Sequence, residues 1–519
     1  MDKVALTGFM GAGKSAVGAA LARALGVDFL DVDGVLTSEH GPIPEQFQRD
    51  GEAVFRAREI EAVRGWLDRP GPGIAALGGG AFHVPQVREA LWGRATTVFL
   101  EVPLEVAKGR VAGGDGRPLW DDAVEGRFAE RAHGYREADL CVDGVGEVPS
   151  VVERVREALG RARRPKGRAV PVDVSPSYDV WVGRGFAGLG ERVFAACPTA
   201  AEGVVLISDD TVAPRWGEAV ARELPVARRV VLPAGEVHKG WASLQAVVDG
   251  ILEGRAHRGT VVVALGGGVV GDVAGLGAAL ALRGLPVIQL PTTLLAMVDA
   301  SVGGKTAINH PRGKNLVGAF HQPSLVWAAS STLGTLDPYE RRSGWGEVAK
   351  TALIGDPTLL ELLGRGERAA ARGCFGVLEE AVARCVTVKA EVVAADAEER
   401  GVRVWLNAGH TVAHGLETAL GHGAIAHGHA VALGLVAELR WAVAEGICEE
   451  PELEGRLTAA LGGAGLDPRV PSYDRRAALD AMALDKKGTG RGVKVPVPRR
   501  AGEMTVVEVP RAELGALLP

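Results

Sequence analysis

The chain has 519 residues, 47% of them hydrophobic and 24% charged, and a formal net charge of −6. That length exceeds one ordinary domain and suits about three units of ~150 residues, while the acidic balance argues against a general nucleic-acid binder. Five scattered cysteines with no C-x-x-C pair suit reduced thiols, and the most apolar stretch, 261–297, is broken by Asp272, Arg283 and Pro286 before it could span a bilayer. With no signal-peptide layout at its start, the expectation is a cytoplasmic protein with small-molecule substrates that binds neither nucleic acid nor membrane.

In the first ~160 residues, short β-type runs at 4–7, 28–32, 73–77 and 96–102 alternate with helical spacing at 14–25, 51–67 and 104–112. The alternation predicts a parallel sheet covered by helices, an α/β unit over 1–162. Arg163-Arg164-Pro165-Lys166-Gly167-Arg168 is a basic, Pro/Gly-bearing connector, placing a linker over 163–171. A second α/β region, 172–330, has strands at 203–208, 230–232, 260–265 and 286–290. From 331 to 519 the spacing predicts an all-helical domain.

Gly8-Phe9-Met10-Gly11-Ala12-Gly13-Lys14-Ser15 joins the first strand to the first helix and is a phosphate-cradling loop. Backbone N–H groups from Gly11 to Ala16 (through Ala12, Gly13, Lys14 and Ser15) converge on phosphate, Lys14 adds charge and Ser15 offers its hydroxyl to Mg²⁺. Asp31 and Asp33 are expected to close a strand with side chains pointing the same way, at the carboxyl end where ligands bind. Gly51-Glu52-Ala53-Val54-Phe55-Arg56, Glu59 and the triplet Gly78-Gly79-Gly80 follow. The loop 113–119 is glycine-rich enough to act as a lid carrying Arg117, and Arg131 and Arg136 flank Tyr135. This set resembles shikimate kinase across the first ~160 residues, with His133-Gly134 standing where many members carry a proline before the tyrosine. The resemblance implies that Asp33, Arg56, Gly79 and Arg136 hold shikimate, that Arg117 reaches the ATP phosphates, and that Ser15 and Asp31 organise Mg²⁺. Lys14, Asp33 and Arg117 would then be catalytic, in an in-line phosphoryl transfer that needs positioning and charge neutralisation. A gluconate-type kinase shares the loop, but two arginines suit a carboxylated substrate better.

In the second region, Gly266-Gly267-Gly268-Val269-Val270-Gly271 follows a strand as G-x-G-x-x-G, yet no acidic residue stands about 20 positions later. Asp209 or Glu236 is the candidate ribose contact instead. Five of the twelve histidines fall between His410 and His429. His410 and His414, four apart, share a helix face, and Glu347 offers an oxygen ligand; two imidazoles of this cluster plus that carboxylate, with a position left open, make a catalytic zinc set. His427 follows a short glycine-rich turn with His429 two beyond, and His422 and His429 compete as ligands.

Residues 170–519 resemble 3-dehydroquinate synthase through Pro233-Ala234-Gly235-Glu236-x-x-Lys239, Gly266–Asp272, Pro291-Thr292-Thr293, Asp299-Ala300-Ser301-Val302-Gly303-Gly304-Lys305, Lys314-Asn315, Gly346-Glu347-x-x-Lys350, Asn407-x-Gly409-His410, His427-Gly428 and Asp485-Lys486-Lys487. The resemblance implies that Glu347, His410 and His427 bind Zn²⁺ (or another divalent ion such as Co²⁺). It assigns NAD⁺ to Asp209, Glu236, Lys239, Gly267, Gly268, Val269, Asp272, Thr292, Thr293, Lys305 and Lys314. The substrate, a seven-carbon keto-acid phosphate, would contact Asp299, Lys305, Asn315, Lys350, Lys389, Arg403, Asn407 and His414, with Lys350, Lys389 and His414 catalytic. Lys486 or Lys487 would bind phosphate, and Arg283 would reach in from a partner in a homodimer formed by this part. The expected whole is a bifunctional enzyme: a P-loop kinase, an NAD-binding α/β domain and a helical metal-binding domain. An NAD/zinc polyol dehydrogenase is a poorer fit for the second half, because Lys305, Lys350, Lys389 and Lys486 have no partner on an uncharged polyol. A nucleotide-sensing module is a poorer fit for the first, because a sensor needs no site like Asp33, Arg56 and Arg136.

Overall fold

A computed structural model describes residues 3–91, 94–111, 124–135, 138, 140–161, 167–253, 256–371, 375–399, 401–421, 423–483 and 492–519. Two compact units emerge, one within Met1–Lys166 and the other formed by Gly167–Ala371 and Phe375–Pro519.

In the first unit, β1 (Lys3–Thr7), β2 (Asp28–Asp31), β3 (Gly73–Ala76), β4 (Ala95–Glu101) and β5 (Leu140–Asp143) form one parallel sheet in the order β2-β3-β1-β4-β5. Val4, Ala5 and Leu6 are buried because helices cover both faces of this central strand, so the run is apolar rather than alternating. The glycine loop leaves the carboxyl end of β1 and feeds the helix Lys14–Leu25, whose N-terminus opens on that edge. The strand expected to end at Asp33 stops at Asp31. The Asp31 carboxylate accepts from the Gly34 amide at 3.3 Å and caps a helix, Val32–His40, so Asp33 sits in a helical first turn.

In the second unit, β6 (Gly167–Val172), β7 (Tyr178–Gly183), β8 (Val204–Asp209), β9 (Val226–Leu232), β10 (Val261–Gly266), β11 (Val287–Pro291) and β14 (Leu325–Ala329) form a sheet in the order β6-β7-β14-β11-β10-β8-β9, parallel except for the β6–β7 pair. Successive side chains of β8 and β10 feed opposite cores: Val204, Leu206, Val261 and Val263 on one face, Val205, Ile207, Val262 and Ala264 on the other. The linker expected over 163–171 is shorter than that. Val170 and Val172 alternate inward, so Gly167–Val172 joins the sheet edge as β6. A hairpin, β12 (Lys305–His310) with β13 (Gly313–Phe320), follows the carboxyl ends of β10 and β11. After β14 the described residues are helical, with one addition, the hairpin of β15 (Gly492–Arg500) and β16 (Glu503–Pro510).

Candidate functional site

The glycine loop of the first unit holds Lys14 over its own carbonyls, with Nζ donating to Gly8 O at 2.8 Å and Phe9 O at 3.2 Å. Ser15 and Ala16 are exposed at the helix start. Arg110 braces the loop from the helix Leu104–Val111, donating to Ala12 O at 3.2 Å and Gly144 O at 3.0 Å.

The glycine triplet is explained by what lies against it. A Cβ at Gly78 would collide with the Asp33 and Glu59 carboxylates, one at Gly79 with Met10 of the phosphate loop, and one at Gly80 with the Arg56 guanidinium. Asp33, Arg56 and Glu59 thus converge on one wall beside the loop. Arg56 pairs with Glu59 and, at 3.0 Å, with Glu52. Glu59 is buried, and burial outweighs Arg56 in lifting its pKa to about 7. Tyr135 donates to Gly79 O and stacks on Phe99 at 5.2 Å. The glycine at 134 has a local cause: a Cβ there would run into the ring of His83, which meets Tyr135 edge-on at 4.7 Å. Arg117 and Arg136 lie outside the described residues, as do Lys486, Lys487 and His422.

In the second unit, Glu347 comes from the helix Pro338–Ile354, His410 and His414 from His410–Leu420, and His427 begins His427–Ala444. The first and third helices approach closely because Gly346 faces Gly428; a Cβ at Gly346 would overlap the Gly428 carbonyl. Ligand atoms of Glu347, His410 and His427 lie within 4.8 Å of one another. His410 Nε2 is 3.9 Å and His427 Nε2 3.5 Å from Glu347 Oε1. His410 Nδ1 meets Ala408 O at 3.1 Å and His427 Nδ1 meets Glu417 Oε1 at 3.3 Å, so each ring is anchored at one nitrogen and presents the other to the shared point. Glu347 is fully buried, and neither carboxylate oxygen has a hydrogen bond of good geometry among the described residues. Glu438 accepts from the Gly409 amide at 2.7 Å and the Val412 amide at 3.2 Å, capping the helix that carries His410.

Beside this centre Asp299 is gripped by two buried lysines. Lys389 Nζ donates to Asp299 O at 2.7 Å and to its carboxylate, and Lys350 Nζ lies 3.6 Å from Asp299 Oδ2 and 2.5 Å from Glu347 Oε2. Burial works against charge on all three. The lysines nonetheless hold the Asp299 carboxyl far below its usual range, and the two carboxylates raise Lys350; Lys389, where burial prevails, is lowered. The ring of His414 stands 5.6 Å from that of His410. A second group joins Lys305 and Asn407 through Glu399, at 2.6 and 2.9 Å. The buried Arg403 holds Gly303 O at 2.7 Å and Ala397 O.

On the β10 side, Thr292 N bonds Gly266 O at 2.9 Å and Gly267 and Gly268 open the helix Gly268–Leu280. Lys239 reaches Asp272 at 2.5 Å and Asn315 at 2.6 Å. Glu236 accepts from Asn309 at 2.7 Å, and Asp209 turns onto the amides of Thr211 and Val212. Asp209, Pro233, Gly235, His238, Val269 and Val273 line a cleft here. Lys314 points elsewhere, pairing with Glu417 at 3.1 Å. Arg283 stands apart, exposed in a left-handed turn at φ 68°.

Residues 229–343 match the family model for the 3-dehydroquinate synthase N-terminal part and 344–488 that for the C-terminal part. The 3-dehydroquinate synthase of Neisseria meningitidis serogroup A is 40% identical over 339 residues, 64% of this chain and 94% of its own. The chain belongs to the 3-dehydroquinate synthase family. Residues 10–160 match the shikimate kinase family model, so this synthase carries a kinase ahead of it. Among solved structures, the 2-epi-5-epi-valiolone synthase of Streptomyces hygroscopicus subsp. jinggangensis 5008, with NAD⁺ and Zn²⁺ bound, is 29% identical, covers 66% of this chain and 95% of its own, and has a TM-score of 0.58. A 2-deoxy-scyllo-inosose synthase at 24% identity, covering 67% and 98%, shares the fold at a TM-score of 0.59.

The sequence reading of the synthase left out Glu399, Glu417 and Glu438, and that of the kinase left out Arg110. Glu417 carried one available signal: it is seven residues after His410, hence on the same helix face as His410 and His414. Glu438 and Arg110 act through backbone groups distant in sequence and gave no signal.

Proposed function

We propose that each unit works as an independent catalyst of the shikimate pathway. The first phosphorylates shikimate from ATP to shikimate 3-phosphate, and the second cyclises 3-deoxy-D-arabino-heptulosonate 7-phosphate to 3-dehydroquinate with loss of phosphate. The observation that carries the synthase reading is the buried Glu347 carboxylate facing two imidazole Nε2 atoms, beside an aspartate held by two lysines. One carboxylate and two anchored imidazoles suit Zn²⁺ or Co²⁺ with a position left open, and the NAD⁺ and Zn²⁺ of the valiolone synthase support the same assignment. When bound, the metal polarises a substrate hydroxyl and NAD⁺ accepts and returns a hydride, with no net consumption.

The protein's own groups supply the rest. Lys350 and Lys389 offer positive charge to an anionic substrate in a site where water is scarce, and Asp299 fixes their direction. Lys305, Asn315, Arg403, Asn407, His414 and Lys486 are assigned to substrate contacts, with His414 placed to move a proton. Asp209, Glu236, Lys239, Gly267, Gly268, Val269, Asp272, Thr292, Thr293, Lys305 and Lys314 are assigned to NAD⁺. In the kinase, Ser15 and Asp31 are assigned to Mg²⁺, and Gly11 to Ala16 with Arg117 to ATP. Asp33, Arg56, Gly79 and Arg136 would take shikimate, with Asp33 orienting its 3-hydroxyl.

We divide the chain into a kinase over 1–162, an NAD-binding α/β domain that begins with β6 at 167 and runs to 330, and a largely helical metal and substrate domain over 331–519 that includes the β15–β16 hairpin. A homodimer through the synthase part is supported by the exposed Leu280, three residues before Arg283, which would then serve the partner's site. Cytoplasmic residence fits the scattered free thiols.

Chelation tests the metal half directly. Treatment of the full chain with a chelator followed by its removal should abolish 3-dehydroquinate formation, and Zn²⁺ or Co²⁺ should restore it. Shikimate phosphorylation with fresh Mg²⁺ and ATP should survive. Synthase activity undiminished after metal removal, or NADH accumulating with turnover, would contradict the assignment.

A further inference from the structure

His410, His414 and Glu417 stand at i, i+4 and i+7 of one helix and share a face. Glu417 is buried there, and a single oxygen, Oε1, serves two groups: His427 Nδ1 at 3.3 Å and Lys314 Nζ at 3.1 Å. Lys314 sits at the tip of the β12–β13 hairpin. Its neighbour Asn315, in a left-handed conformation at φ 53°, accepts from Lys239, which pairs with Asp272 in the first turns of the helix after the glycine-rich turn. One hairpin tip therefore touches both the dinucleotide cleft and, through one carboxylate oxygen, a ligand of the metal centre.

We propose that Glu417 is a positioning residue that orients His427 for metal binding and, by sharing Oε1 with Lys314, couples metal affinity to dinucleotide occupancy. This rests on the reading that His427 is a metal ligand and that Lys314 contacts NAD⁺. The direction follows from hydrogen-bond competition. An oxygen already accepting from an ammonium is a weaker acceptor for the imidazole N–H. When Lys314 turns to the dinucleotide, Oε1 is left to His427 alone, its N–H is held more strongly, and Nε2 becomes the better donor to a cation. Reciprocity requires the metal to tighten NAD⁺ by the same factor.

The test uses full-length protein stripped of metal, Zn²⁺ titrated against a chromophoric chelator with and without saturating NAD⁺, and the absorption spectrum of the Co²⁺-loaded protein. In the wild type, NAD⁺ is expected to tighten Zn²⁺ about 5-fold or more, and Zn²⁺ to tighten NAD⁺ equally. Glu417→Gln should weaken Zn²⁺ about 10–100-fold, shift the Co²⁺ bands and remove the coupling. Lys314→Met, a second variant in case the first folds poorly, should bind Zn²⁺ at least as tightly as the wild type and show no coupling. A folded Glu417→Gln protein with wild-type Zn²⁺ affinity and Co²⁺ spectrum would overturn the positioning role; coupling that persists in Lys314→Met would overturn the link. Wild type that binds both ligands without mutual effect overturns this inference alone, whereas wild type that binds no metal overturns the metal-site reading with it.

Discussion

At Glu59 burial and pairing pull against each other, and burial prevails. Its Oε2 faces Arg56, yet its Oε1 has no hydrogen bond among the described residues and points toward Gly78 and Asp33. With a pKa of about 7 in the fold against 4.5 for the free side chain, it keeps a proton that the unfolded chain would release between those values. The folded state then binds more protons than the unfolded one, so stability falls as pH rises through that window and levels off above it. Glu59→Gln should flatten this slope in the thermal unfolding of the kinase unit between about pH 5 and pH 8. A slope unchanged by the substitution would mean that Glu59 is already ionised at the acid end. At this scale the sequence was legible where chemistry repeats a spacing, as with Gly11 to Ser15 or His410 to His414. It was opaque where a side chain works through distant backbone, as Glu438 does on the amides of Gly409 and Val412.

Helix contact, more than helix propensity, builds the candidate metal centre. Gly346 and Gly428 bring two helices together so that Glu347 and His427, each one residue away, face a common point. Gly346→Ala should force them apart, lowering the thermal stability of the synthase unit by about 1–3 kcal/mol and reducing bound metal after purification. Full metal content with unchanged stability would show that the helices yield without cost. The parallel strands at 204–209 and 261–266 were readable because both faces are buried and the runs are uniformly apolar. The hairpin β12–β13 was not, since Lys305, Asn309, Lys314 and Asn315 break any apolar alternation. Asp33 was misplaced for a related reason: one carboxylate, that of Asp31, changes a strand end into a helix start, and periodicity alone does not register a cap.

Across the whole molecule, two sheets with separate cores support two separate chemistries. The first unit's five parallel strands and the second unit's six put loops and helix N-termini at their carboxyl ends, which is where both proposed anion-handling sites lie. Shikimate phosphorylation and dehydroquinate formation are not consecutive steps, so direct transfer of product between the units would serve neither reaction. The decisive measurement is a pair of assays, shikimate phosphorylation and 3-dehydroquinate release, run on the same full-length preparations of wild type, Lys14→Ala and His410→Ala. The account predicts that Lys14→Ala loses phosphorylation by at least about 100-fold and keeps cyclisation, and that His410→Ala does the reverse. Loss of both activities from either substitution in folded protein would contradict two independent sites.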